Sequence, residues 1–177
     1  MSIVIQNQAR IHRWALWFMI KKLAKQIGLQ KYAITGSYRR GKWWCNDIDL
    51  LVPIHSKAEG EGIKAQITKL GWKPTPGRIG DNDIVFSTQF LKNTDGGIVV
   101  LDLFLAPLGS WGNALLFTTG PKSFNDNIRS NMLSNGYSWS NPRYFTHIRS
   151  DKMLAFDNEK AALAFLNMPW ISPRTRR

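Results

Sequence analysis

The sequence predicts an α+β fold: a mixed β-sheet with flanking helices, then a small C-terminal α/β subdomain. Three observations carry this expectation. Short β-branched and apolar runs cluster between Tyr32 and Leu105. Stretches with helical apolar spacing fall before, between and after them. Pro107 to Ser110 then breaks the pattern, which sets the domains at 1–105 and 106–177.

In chain order, Arg10 to Ile27 reads as an amphipathic helix with Ile11, Ala15, Phe18, Leu23 and Ile27 on its inner face and Gly28 ending it. Its apolar run is too short and too closely flanked by bases to span a membrane, so no membrane partner is expected. Met1 to Gln8 lacks the arrangement of a cleaved secretion signal. Tyr32 to Thr35 is a short strand, and a second strand ends at Pro53. Ser56 to Leu70 is helical through Ile63, Ile67 and Leu70, with Gly60 and Gly62 weakening its first turn. Pro74-Thr-Pro-Gly reads as a loop. Asp83–Leu91 and Ile98–Leu105 read as a hairpin joined through Asn93-Thr-Asp-Gly-Gly.

After the boundary, Trp111 to Phe117 is a short helix and Thr119-Gly120-Pro121 a turn. Ser123 to Ser134 forms a helix closed by Asn135-Gly136. Phe124, Ile128 and Met132 mark its core face. Asn125 and Arg129, four apart, share a neighbouring face that fits either solvent or a base pair. Tyr137 to Thr146 reads as an aromatic hairpin around Asn141-Pro142. Asp157 is placed to cap a last helix through Leu166, and the basic tail from Ser172 is expected to be loosely held.

Charge narrows the function. The 177 residues carry 24 Lys and Arg against 12 Asp and Glu, a formal net charge of +12, which calls for a polyanionic partner. No Asp or Glu occurs before Lys42, whereas Arg10, Arg13, Lys21, Lys22, Lys25, Lys31, Arg39, Arg40 and Lys42 are basic. A solvated face usually mixes signs, so this one-sign segment reads as a surface laid against phosphates, with Lys21, Lys25, Arg39 and Lys42 as expected contacts. Of the eight Trp, Trp43 and Trp44 beside the basic turn are the ones placed to meet nucleic acid. The single Cys45 excludes an internal disulfide, suggests an intracellular, reducing setting and reads as a buried thiol. His12, His55 and His147 lack zinc-ligand spacing.

Tyr32 to Pro53, YAITGSYRRGKWWCNDIDLLVP, organises the rest. Strand alternation points Asp47 and Asp49 the same way, with Ile48 and Leu50 facing the core. At roughly 6 to 7 Å, two such carboxylates repel by about 2 to 3 kcal/mol at an effective dielectric of about 20. A cation between them relieves this, and hard oxygen ligands suit Mg²⁺ or Mn²⁺. Gly36-Ser37, at a strand-to-helix turn, offers N–H groups and a hydroxyl to an anion, and Arg40 adds a guanidinium fork. A phosphate cradle beside a metal-holding carboxylate pair implies nucleotidyl transfer. Asp102, the one charge in IVVLDLFL, is expected to be the third ligand, because an unpaired carboxylate there costs several kcal/mol.

GSYRRGK, DIDLLV, VVLDLFLAP and LLFTTGPKSFNDNIR, in this order, resemble the motifs of family X DNA polymerases, in particular the minimal viral type found in African swine fever virus. The resemblance runs from about Ile11 to the tail. It implies a nucleotidyltransferase palm in 1–105 and a C-terminal subdomain that binds dNTP and the nascent base pair. It further implies that Asp47, Asp49 and Asp102 hold two Mg²⁺ ions and that Asp102 takes the proton of the primer 3′-OH. Gly36, Ser37 and Arg40 would hold the β and γ phosphates, and Thr119 and Gly120 the sugar. Asn125 would reach the nascent pair and Arg129 the template. The family's Tyr-Phe before Thr-Gly is replaced by Phe117-Thr118, and the sequence shows no counterpart of its lyase domain. The expected protein is a monomeric, template-directed polymerase that fills short gaps in DNA. The alternatives are a template-independent nucleotidyltransferase acting on DNA, RNA or a small molecule, and a nucleic-acid-binding module with an inactive fold.

Overall fold

The computed structural model describes residues 7–75, 87–139 and 141–176. Its main sheet has five strands: β2 (Ala33–Ile34), β4 (Ile48–Ile54), β7 (Gly97–Pro107), β6 (Ser87–Thr94) and β5 (Lys73–Pro74), in that spatial order. β4 and β7 run parallel, and every other neighbour pair is antiparallel, so the sheet is mixed as expected.

The two faces of β4 divide the molecule. Ile48, Leu50, Val52 and Ile54 point to a core shared with Leu101, Leu103 and Leu105 of β7. α1 (Arg13–Gln26) closes this core with Leu16, Ile20 and Leu23, and α3 (Lys57–Lys69) with Ile63 and Ile67. Each such side chain, fully buried, contributes about 1.5–3 kcal/mol relative to an exposed one. The opposite face carries Asp49 and Leu51; Asp47, expected on the strand, lies in the bend just before it. Leu51 packs with Ala106 and with Ala114 of α4 (Trp111–Thr119). The helix that follows the sheet is therefore laid on the face that bears the carboxylates.

Beyond α4, a second core forms from α5 (Lys122–Ser134), α6 (Glu159–Phe165) and a three-stranded sheet. Its strands are β8 (Tyr137–Ser138), β9 (Phe145–His147) and β10 (Met153–Leu154). Phe124, Ile128 and Met132 face that core, as the spacing predicts.

Several expectations need correcting. α1 begins at Arg13 because Ile11–His12 forms β1, an antiparallel pair with β3 (Trp44–Cys45), and His12 caps the helix by accepting from Trp14 N. Its buried face is Leu16, Ile20, Leu23 and Ile27, whereas Ala15 and Phe18 are exposed. Pro74 lies in the edge strand β5, where a missing N–H is tolerated, rather than in a loop; Pro76 and Gly77 lie outside the described residues. β6 begins at Ser87 and its turn tightens to Asp95-Gly96; residues 83–86 lie outside the described part, as do residues 1–6. Asn158, not Asp157, caps α6: its side chain accepts from Ala161 N at 2.9 Å while Asp157 accepts from the Asn158 amide. The tail is anchored, since Arg176 is buried against Phe124 and reaches the Ile171 carbonyl. Among the described residues no helix is long and apolar enough to cross a membrane.

Candidate nucleotidyl-transfer site

The site is built around one backbone turn. Thr35 N donates to the Asp49 carbonyl at 2.8 Å, which fixes the start of the short helix α2 (Gly36–Arg39) against β4. Gly36 has φ +52°, and a Cβ there would fall 1.7 Å from Asp49 Oδ2. Only glycine lets the turn come this close to the carboxylate. Beside it the Ser37 hydroxyl is buried and, among the described residues, has no hydrogen-bond partner. A buried polar group is normally paired, so an orphaned hydroxyl at the pocket wall marks a place for a ligand acceptor such as a phosphate oxygen.

Asp47 and Asp49 line a cavity of about 430 Å³ with Gly36, Ser37 and Arg40 from the sheet side, and Thr119, Gly120, Asn125 and Arg129 from the C-terminal side. Phe117, Thr118, Pro121 and Lys122 complete it. Asp102 stands opposite Asp49 in the β4–β7 register, and Gln89, its cross-strand partner on β6, donates to Asp102 Oδ1 at 3.0 Å. Asp102 is half-buried on the carboxylate face rather than sunk in the core, which corrects the sequence expectation.

Charge in this corner is unbalanced. Burial pushes the Asp49 carboxyl well above the ordinary carboxylate range, Asp47 and Asp102 push it further, and Arg40 opposes them. Burial also raises Asp47, against its backbone hydrogen bond and Arg40. Among the described residues no three acidic, His or Cys groups close into a ready metal cage. The donor set still fits a hard divalent cation, because the charge of Asp47 and Asp102 that raises Asp49 is what a cation would relieve.

Arg40 donates to the Thr119 carbonyl and so ties the end of α2 to the end of α4. The Gly120–Pro121 peptide is cis. Asn125 is buried: its Nδ2 donates to the Phe117 carbonyl at 2.8 Å, and its Oδ1 has no partner among the described residues. Arg129 lies over Phe117 and Trp139 and pairs with Asp126 at 2.8 Å.

Not every expected residue gathers here. Arg39 turns away and binds Glu159 through both terminal nitrogens, at 2.9 and 2.6 Å, while also donating to Thr119 Oγ1 at 2.7 Å. Its guanidinium is thus spent on an internal clamp, not offered to phosphate. Arg176 Nη2 stands 2.9 Å from the same carboxylate as an ion pair without hydrogen-bond alignment. Lys21 and Lys25 lie on the exposed side of α1, with Lys21 over Trp17, and Lys42 is exposed just past the turn. Sequence reasoning missed Gln89 and Glu159. The available signal for Glu159 was that only three acids, Asp151, Asp157 and Glu159, follow Asp126.

The architecture is that of a polymerase-beta-like nucleotidyltransferase fold: a mixed sheet bearing carboxylates, flanked by helices, with residues after the sheet lining the far side of the pocket. Comparison with known proteins agrees. Residues 114–177 match the DNA polymerase beta thumb family, the segment that supplies Thr119, Gly120, Asn125 and Arg129. The chain is also similar to DNA polymerase lambda of Arabidopsis thaliana, 27% identical over 165 residues, which takes in 80% of this chain and 31% of that protein. The chain therefore spans about a third of the length of this curated relative.

Proposed function

We propose that the protein is a template-directed DNA polymerase that adds dNTP to a primer 3′-OH and fills short gaps in DNA during repair. The observation that carries this reading is the single pocket joining Gly36, Ser37, Arg40, Asp47 and Asp49 to Thr119, Gly120, Asn125 and Arg129. One set suits a triphosphate and its cation; the other faces it from the unit that resembles a polymerase thumb.

Asp47, Asp49 and Asp102 would hold two Mg²⁺ ions, with Mn²⁺ as a substitute. Bound there, the ions supply positive charge that acidifies the 3′-OH and neutralises the leaving pyrophosphate. The chain's own groups do the rest. Ser37 Oγ donates to a phosphate oxygen, and Arg40 sets a guanidinium beside it. Thr119 and Gly120 line the sugar. Asp102, steadied by Gln89, accepts the proton of the 3′-OH. The division into a palm at 1–105 and a C-terminal unit at 106–177 belongs to the same reading, as do an intracellular setting and a monomeric state. Kinship with the minimal viral type rests on the order of the motifs alone.

A template-independent nucleotidyltransferase is the second reading, and one observation favours it. Asn125 Nδ2 is engaged by the Phe117 carbonyl and Arg129 Nη1 by Asp126, so part of the face that would test a base pair is taken by internal partners. The polymerase reading is tested by single-turnover extension of a primer across a one-nucleotide gap with Mg²⁺. Asp102→Asn is expected to abolish extension while DNA affinity and fold persist; a near wild-type rate would remove Asp102 from its role.

A further inference from the structure

A second cleft, of about 550 Å³, opens on the other side of Arg40 and is lined by Arg13, Trp14, Tyr38, Gly41, Trp43 and Arg174. That volume lies within the range of sites that hold one small molecule, about 300–1,000 Å³. Its composition is unusual for a surface. Trp14 is 60% exposed and Trp43 62%, although an indole is normally among the more buried side chains. Three guanidiniums, from Arg13, Arg40 and Arg174, share the cleft, and no carboxylate lines it. None of the three makes a salt bridge among the described residues.

The fold holds these groups in place. The β1–β3 pair sets His12 opposite Trp44 and stacks His12 on Trp43, with centroids 6.0 Å apart and planes 22° from parallel. Arg13 Cζ lies 4.9 Å from the Tyr38 ring centroid and 5.8 Å from that of Trp43. The anchored tail carries Arg174 across the turn, where a Cβ on Gly41 (φ +85°) would come 3.3 Å from Arg174 Cγ. Exposed aromatics mark either a protein partner or a stacking platform. Three guanidiniums without a salt bridge among the described residues, a lining without acids and a net charge of +12 favour a polyanion with flat bases.

We propose that this cleft holds one unpaired nucleotide of single-stranded DNA, its base on Trp43 and Trp14 and its phosphates on Arg13 and Arg174. Arg40 lines both cavities, so a strand seated here runs past the nucleotide pocket without entering it. The inference stands apart from the polymerase reading, because binding needs neither metal nor dNTP.

The test measures the full chain binding a labelled dT 12-mer and an abasic 12-mer of equal phosphate number, by anisotropy, with metal and dNTP absent. Trp43→Ala is expected to weaken dT binding about tenfold and to leave abasic binding unchanged. Trp43→Phe restores most of the loss, and unchanged circular dichroism shows that the fold persists. Arg13→Ala with Arg174→Ala is expected to flatten the slope of log K against log salt by roughly 0.7 per lost phosphate contact. Equal wild-type affinity for the two oligonucleotides, or wild-type dT binding by Trp43→Ala, would overturn the proposal. So would a gain from a 5′-phosphate that is indifferent to bases, since the occupant would then be a terminal phosphate. A gain in affinity that Trp44→Ala removes and Trp43→Ala does not would equally place the stacking elsewhere.

Discussion

Gly36 lies so close to Asp49 that a Cβ on the glycine would fall 1.7 Å from the carboxylate oxygen Oδ2. The turn at Gly36 and the carboxylate strand are thus packed as one unit. Gly36→Ala must displace Asp49 and also strains a backbone at φ +52°, at about 1–2 kcal/mol for the strain alone. It is expected to lower gap extension by about a hundredfold. Gly28→Ala is the control: φ is +71° but nothing lies within 4 Å, so it carries the backbone strain alone and leaves the rate unchanged. Equal rates for both variants in extension assays would separate the turn from the site.

The raised carboxyl of Asp49 has a consequence for stability. A group whose folded pKa lies above its ordinary value of 3.8 stabilises the fold below that value, and the contribution is lost as pH rises through the folded pKa. Without divalent metal, Asp49→Asn is therefore expected to melt above wild type at neutral pH, by about 2–4 °C for each kcal/mol of relieved repulsion. The difference should shrink as pH falls toward 4. Adding Mg²⁺ or Mn²⁺ should raise the wild-type Tm more than that of the variant. Thermal melts across pH, with and without metal, check this; a variant less stable than wild type at neutral pH would show that the carboxylate is not under strain.

Glu159 holds two cations, Arg39 and Arg176, and is itself only 5% exposed. Glu159→Gln leaves both guanidiniums without a counter-charge and should cost about 3–5 kcal/mol, on the order of 10 °C in Tm. Because Arg39 also donates to Thr119 Oγ1, the wall of the pocket proposed to hold the sugar should loosen and KM for dNTP should rise. Denaturant melts and steady-state extension test both parts. A loss under 1 kcal/mol would mean that the clamp is solvated.

Local patterns in the sequence carried the site further than its supports. Asp49 is legible because alternation in a strand is local, with Ile48 and Leu50 on either side of it fully buried; Asp47, in the bend before the strand, reaches the same pocket. Asn125 and Arg129 are legible as helix neighbours, and both reach the pocket. The rotation of α1 was not legible. Phe18 and Trp14 look like core residues by composition, yet both lie on the outer face; apolarity alone cannot tell an interior aromatic from one held at a surface. Arg39 shows a second limit. It sits in a basic run that reads as a phosphate contact, and its partner lies 120 residues away, where no local spacing announces an ion pair. Gln89 on Asp102 is hidden for the same reason, since strand register is a tertiary fact.

Template dependence separates the proposed polymerase from a transferase that needs only a nucleotide pocket and a primer end. Arg129 is its probe: it lines the pocket from α5, where it pairs with Asp126. Arg129→Ala should reduce extension more than it reduces stability, because the side chain is partly exposed and its ion pair is worth at most about 1 kcal/mol. The most direct measurement is single-turnover incorporation of each dNTP, offered alone with Mg²⁺, on four one-nucleotide gaps that differ at the template base. The polymerase account predicts the fastest rate for the complementary dNTP on each gap, with the preference reduced in Arg129→Ala. Rates that follow the nucleotide and ignore the template base would contradict it.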